Sequence, residues 1–264
     1  MFHQKFILDA RYPEATLTTY VQGEADAPIA RPAVIVCPGG AYLGHAHHEG
    51  EPIALFYLKQ GFNAFVLHYG VGENATGGRP LIQAALAIRH VREHAKEYNV
   101  DPSRILILGF SAGGHLAASA GILWNAPIVR EALGITEETK GVNRPDGMIL
   151  CYPVITALEH RHKASFRRIL GTGSDEPSEE ARRAWSLELH VDSTTPPAFL
   201  WHTVNDEGVS VQNSLLLGEA MSRAGVSYEM HLFPKGKHGL GLATDRPEIA
   251  VWADLSAVWA KNPG

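Results

Sequence analysis

Two glycines flank a serine in Gly109-Phe110-Ser111-Ala112-Gly113, a spacing suited to a serine nucleophile. A hydroxyl at its resting pKa attacks poorly, so it needs a base in reach and a third group to orient that base. Downstream, Val204-Asn205-Asp206 supplies a carboxylate and Lys235-Gly236-Lys237-His238-Gly239 an imidazole. Ser111, Asp206 and His238 are therefore the candidate nucleophile, orienting acid and base. Glu207 is a rival for the acid, and His238 competes with the other histidines among a total of 14. Attack by serine creates an oxyanion that needs hydrogen-bond donors. Pro38-Gly39-Gly40-Ala41-Tyr42 offers them: the N–H groups of Gly40 and Ala41 would join that of Ala112, because small residues permit close backbone approach. The chemistry is acyl transfer to water through an acyl-enzyme. It requires no metal and no organic cofactor. His45-Ala46-His47-His48-Glu49 keeps a metal-dependent alternative open, since His-x-His clusters can supply zinc ligands, but no separate acidic ligand set accompanies it.

These groups must be delivered to one place, and the hydropathy pattern says how. Ala33 to Cys37 is a continuous apolar run cut off by Pro38-Gly39-Gly40; without polar alternation, it suits a strand covered on both faces. Asn63 to His68, Arg104 to Leu108, Met148 to Tyr152, Ala198 to Thr203 and Tyr228 to Phe233 read as further strands. Between them, helices are expected over Pro52 to Gln60, Leu81 to Tyr98, Ala112 to Ile122, Val211 to Ala224 and Glu248 to Trp259. Leu81, Ala84, Ile88, Val91, Ala95 and Tyr98 step along one face of the longest. Lys5 to Leu8 and Thr16 to Val21 form an antiparallel pair, followed by a loop over Glu24 to Pro32. Alternating strands and helices predict an α/β fold with a mostly parallel sheet and helices on both faces. Ser111 then stands in a sharp strand-to-helix turn, where glycines two residues either side avoid a clash. Asp206 and His238 follow later strands and reach the same rim. Residues 154–197 break the rhythm, with helical patches at Ala164 to Leu170 and Ser178 to Trp185. They form either a small insertion over the carboxyl edge of the sheet or one long, ragged helix.

The chain has 264 residues, 45% hydrophobic and 19% charged, enough apolar surface for one sizeable core and too much for a disordered chain. The formal charge of −5 and a pI near 6.3 argue against nucleic acid or an anionic membrane as partner. Met1 to Asp9 lacks a signal-like apolar run, and no segment approaches the roughly 18 apolar residues of a membrane helix. Cys37 and Cys151 are too few for a disulfide framework. The expectation is a single cytoplasmic domain acting on a small molecule, with homo-oligomerisation left open.

The chain resembles the α/β-hydrolase superfamily, in the esterase/lipase branch with acetyl-xylan esterase-like and feruloyl esterase-like carboxylesterases. The resemblance rests on Cys37-Pro38-Gly39-Gly40-Ala41-Tyr42, His48-Glu49-Gly50-Glu51-Pro52, Asp101 to Ile105, Gly109 to Ala117, Thr195-Pro196-Pro197, His202 to Val209 and His238-Gly239. It implies an eight-stranded sheet in the order 1-2-4-3-5-6-7-8. Cys37 and Cys151 would then end non-adjacent strands and remain free thiols. It also implies hydrolysis of short-chain, acetyl-type esters of sugars or oligosaccharides. Feruloyl or alkyl esters, or amides (peptidase or arylformamidase activity), are the alternatives, and a non-catalytic binding protein is a third reading. Tyr42, Tyr69, Trp124 and Trp185 are the aromatics expected along the cleft, where flat rings suit sugars.

Overall fold

The computed structural model describes residues 2–22, 29–172 and 176–263; 24–28 of the expected loop and 173–175 of the expected insertion lie outside that set. The strands are β1 (Lys5–Ile7), β2 (Thr16–Tyr20), β3 (Arg31–Cys37), β4 (Asn63–His68), β5 (Val100–Phe110), β6 (Gly147–Cys151), β7 (Ala198–Thr203) and β8 (Tyr228–Phe233). They form one sheet in the order β1-β2-β4-β3-β5-β6-β7-β8, as the resemblance implied. β2 pairs antiparallel with β1 and β4, and every other neighbouring pair is parallel.

The continuous apolar runs exist because both faces are covered. On one face Ile35, Ile107, Leu150 and Leu200 pack beneath α2 (Arg79–Glu93), α3 (Ala112–Ile122) and, further along the chain, the helix 212–224. On the other, Val34, Val36, Leu106, Leu108, Ile149 and Trp201 meet α1 (Glu51–Lys59) and the C-terminal helix, where Trp252 stacks on Trp201 at 5.1 Å. Removing each such large side chain from water contributes about 1.5–3 kcal/mol. The chain leaves β3 for β4 on one side and returns past β3 to β5 on the other, with α1 and α2 on opposite faces. Such a reversal opens a crevice at the carboxyl ends of the strands, where ligands of open α/β sheets bind.

Two details differ from expectation, and a third decides between the two readings of residues 154–197. α2 stops at Glu93, five residues before Tyr98, because the chain must turn into β5: Val100 N–H bonds Ala95 O, Tyr98 O accepts from Asn63 Nδ2, and Asn99 adopts φ 49. A seven-residue helix, α4 (Pro127–Leu133), was not anticipated; Pro127 opens it, left-handed Gly134 closes it, and it buries only Val129 and Leu133. The segment between β6 and β7 is an insertion of separate short helices, α5 (Lys163–Leu170) and α6 (Glu179–Ala184). Gly171 at φ 67 ends α5, and Ser178 Oγ caps α6 by accepting from Ala181 N–H. α7 (Gln212–Ala224) and α8 (Pro247–Trp259) complete the chain. Cys37 and Cys151 are free and buried on strands separated by β5.

Candidate active site

The turn from β5 into α3 forces Ser111 to φ 53, ψ −116. Space around it explains the flanking glycines. A Cβ on Gly109 would stand 2.0 Å from Gly113 O, and one on Gly113 would stand 2.1 Å from Cys37 O. Ser111 is thus held at the rim by the close passage of β5, α3 and the end of β3. Its side chain lies at the amino end of an eleven-residue helix, where free N–H groups and the helix dipole favour negative charge.

His238, in the loop after β8, reaches it: Ser111 Oγ and His238 Nε2 are 2.8 Å apart, and His238 Nδ1 and Asp206 Oδ2 are 2.8 Å apart. A carboxylate only accepts, so Nδ1 carries the proton and Nε2 is left to accept from the serine hydroxyl. Asp206 Oδ1 accepts from the N–H groups of Gly208 and Val209 at 2.8 and 2.9 Å. His202 Nε2 donates to Val209 O at 2.9 Å and lies 3.5 Å from Asp206 Oδ2. Burial raises the Asp206 pKa, but His202, His238 and the Val209 N–H outweigh it and hold the carboxyl well below its usual range. Glu207 is exposed, and Asn205 Oδ1 accepts from Gly236 N–H at 2.8 Å, anchoring the His238 loop.

Beyond β3, Gly40, Ala41 and Tyr42 take φ values of 131, 56 and 58. Left-handed Ala41 and Tyr42 are strained for non-glycine residues, and such strain clusters at functional sites. No internal hydrogen bond among the described residues uses the N–H of Gly40, Ala41 or Ala112. Gly40, Ala41, Ser111 and His238 share one cavity of about 260 Å³, which Ala46, His48, Glu49, His162 and Gly239 complete.

Three of these functional positions went unmarked as such in the sequence. Glu49 is buried; Oε2 accepts from Gly39 N–H at 2.8 Å and Oε1 from Tyr152 O–H at 2.6 Å. Tyr152 in turn accepts from Gly241 N–H at 2.9 Å, and its ring packs edge-on against His238 at 5.0 Å. One carboxylate therefore ties the Gly39-Gly40 turn to the His238 loop. Glu49→Gln leaves one of these two contacts without its acceptor; kcat should fall about tenfold with KM little changed, and unaltered Michaelis kinetics would contradict a positioning role. Glu49 stood in a quoted motif, but nothing marked Tyr152 or His162.

The aromatics fall elsewhere. Tyr42 is buried and its hydroxyl donates to His115 Nδ1 at 3.0 Å; Tyr69 is buried and its hydroxyl donates to Pro38 O at 2.6 Å. Trp185 packs near His115, whose Nε2–H donates to Trp185 O at 3.2 Å, and with Tyr42 it walls a separate apolar void. Trp124 is buried with Nε1 on Thr194 Oγ1. The expected cleft positions of Tyr42, Tyr69 and Trp185 are corrected: these rings support the loops from below, because a ring facing inward buries more apolar area than one on the rim. His115 is fully buried and burial pushes its pKa down to about 4. The unfolded chain then binds more protons than the folded one below pH 6.5, so stability should drop on acidification from 6.5 toward 4, by about 3 kcal/mol from this group. Melting curves across that range should flatten in His115→Asn; an unchanged slope would refute the assignment.

The His45–Glu49 cluster diverges rather than converging. His45 packs edge-on against His68 and Tyr69, His48 Nε2 donates to Gly239 O at 3.0 Å, and Glu49 is committed as above. Among the described residues no three His, Cys, Asp or Glu side chains are grouped to hold a metal, and no helix is long and apolar enough to cross a membrane.

Comparison with known proteins agrees with this architecture. Endo-1,4-beta-xylanase B of Butyrivibrio fibrisolvens is 36% identical over 220 residues, covering 82% of this chain and 34% of that protein. The acetylxylan esterase of Xylanibacter ruminicola is 32% identical over 219 residues, 80% of this chain and 42% of that one. The chain thus spans only about a third to two-fifths of these curated relatives. The crystal structure of an acetyl ester-xyloside bifunctional hydrolase from Caldicellulosiruptor lactoaceticus superposes with a TM-score of 0.84 at 40% identity, covering 94% of this chain and 87% of that one. The BD-FAE family model matches residues 17–221. With that match spanning most of the sheet and the loops that carry Ser111 and Asp206, the chain belongs to the BD-FAE family and has the α/β-hydrolase fold.

Proposed function

We propose that this chain is a serine carboxylesterase that removes short acyl groups, acetyl foremost, from sugar or oligosaccharide alcohols. The observation that carries the reading is the unbroken hydrogen-bonded chain Ser111–His238–Asp206 opening on a cavity edged by unused backbone N–H groups. In the first half-reaction Ser111 Oγ bonds to the ester carbon as its proton passes to His238 Nε2. Gly40, Ala41 and Ala112 stabilise the oxyanion, and Asp206 stabilises the imidazolium. Collapse breaks the carbon–alkoxy bond, and His238 returns the proton to the departing alcohol. Water then repeats the sequence in reverse, releasing the acid and restoring the serine.

The substrate reading draws support from two sides. Two of the proteins named above are an acetylxylan esterase and an acetyl ester-xyloside hydrolase. The cavity is small and no Phe, Tyr or Trp side chain is among its lining residues, which suits acetyl better than a phenolic acyl group that would stack on a large ring. Two unpaired buried thiols fit a reducing compartment, the proposed location. A panel of p-nitrophenyl esters, acetylated xylo-oligosaccharides, aryl formamides and aminoacyl amides tests the proposal. We expect acetate release from the oligosaccharides and kcat/KM at least tenfold higher for acetyl than for hexanoyl. A preference for long acyl chains, aryl formamides or aminoacyl amides would overturn it.

A further inference from the structure

His162 lies in the insertion between β6 and β7, yet it lines the same cavity as Ser111 and His238. Its tautomer follows from its neighbours. Nδ1 caps α5, accepting from Ser165 N–H at 3.4 Å, and Ser165 Oγ lies 2.8 Å away. A backbone N–H can only donate, so Nδ1 must present its lone pair. Burial, reinforced by nearby His238, depresses the His162 pKa and favours the neutral ring. A neutral ring whose Nδ1 accepts carries its one proton on Nε2. Among the described residues Nε2 has no protein partner. The insertion therefore presents a fixed N–H donor at the cavity.

Which half of an ester this donor would meet depends on the side of the cleft. His238 must hand its proton to the departing oxygen, so the alcohol leaves on the His238 side, whereas the carbonyl oxygen turns to Gly40, Ala41 and Ala112. Two residues earlier, His160 O accepts from Asn213 Nδ2 at 3.0 Å, which ties this part of the insertion to the start of α7. That is the β7–β8 side of Ser111, which supplies Asp206 and His238, away from the Gly40-Ala41 turn after β3, and it places His162 with the alcohol. We propose that His162 is a specificity residue for the leaving alcohol, donating a hydrogen bond from Nε2–H to a hydroxyl or ring oxygen adjacent to the scissile bond. A polyhydroxylated alcohol offers such an acceptor there; p-nitrophenol, with its only other oxygens on the far nitro group, does not. This inference rests on the sugar-ester reading above and adds to it the group that reads the sugar.

Two variants separate recognition from structure. His162→Asn keeps a side chain able to cap α5 but is too short to reach the alcohol, and His162→Gln restores an N–H at greater reach. Kinetics on acetylated xylo-oligosaccharides and on p-nitrophenyl acetate, with melting curves, give the readout. His162→Asn should lose about 10- to 100-fold in kcat/KM on the oligosaccharide, stay within about threefold on p-nitrophenyl acetate, and melt within a few degrees of the parent; His162→Gln should recover part of the loss. Equal losses on both substrates, or none on either, would overturn the role of His162 while leaving the esterase reading intact. A parent protein that cleaves p-nitrophenyl acetate but releases no acetate from the oligosaccharide would overturn both.

Discussion

Replacing Ser111 by alanine should lower kcat on p-nitrophenyl acetate by about 10⁴-fold or more, with the melting temperature changed by no more than a few degrees. The loss is large because the hydroxyl forms the covalent bond, and His238, Asp206 and the oxyanion donors act mainly through it. Stability should hold because the substitution removes one atom at a site already shaped for φ 53, where the glycines at 109 and 113 provide the clearance. The backbone N–H of Ala112 and the turn at Gly40 remain, so substrate binding should persist and KM should move little. Steady-state kinetics beside a thermal melt check both halves. A variant that keeps a tenth of its turnover would show that another group attacks the carbonyl.

The second large effect is expected from Asp206→Asn. Its Oδ1 accepts two backbone N–H groups, from Gly208 and Val209, and an asparagine oxygen would be drawn to that same place. Its NH₂ would then face His238 Nδ1 and donate to it. The imidazole would have to accept at Nδ1 and carry its proton on Nε2, the atom that must take the proton from Ser111. The geometry survives while the tautomer is wrong, and kcat near neutral pH should fall about 10⁴-fold. Unlike the serine variant, this one should regain turnover as pH rises, because hydroxide or a deprotonated nucleophile bypasses the base. A pH–rate profile identical in shape to the parent's would argue that the imidazole is oriented by something other than Asp206.

How far the sequence reached is clearest at the three points of this chain. Ser111 was legible because its surroundings are local: the clearance it needs comes from residues two positions away, and a buried strand and an alanine-rich helix bracket it. Asp206 and His238 were legible as loop residues after apolar strands, since parallel strands deliver their carboxyl ends to one rim. The boundaries of most strands followed from the same doubly buried pattern. α4 was passed over because seven residues with two buried positions give almost no periodicity, although Pro127 and Gly134 mark its ends.

Tyr42, Tyr69 and Trp185 show the other side. Their types said only that a large flat ring must be buried somewhere, and interior and cleft satisfy that demand equally in a one-dimensional pattern. Glu49, Tyr152 and His162 are further cases: their roles arise from contacts spanning 10 residues to Gly39, 103 between Glu49 and Tyr152, and 89 from Tyr152 to Gly241. Short-range spacing thus suffices for the nucleophile's turn, the layered α/β architecture and the order in which the reactive groups arrive. Which buried carboxylate braces the oxyanion turn, which imidazole from the insertion enters the cavity, and where the aromatic rings point are set by packing between distant segments. Local patterns record what each residue needs, but a partner far along the chain is specified only when the folded core brings the two within bonding distance.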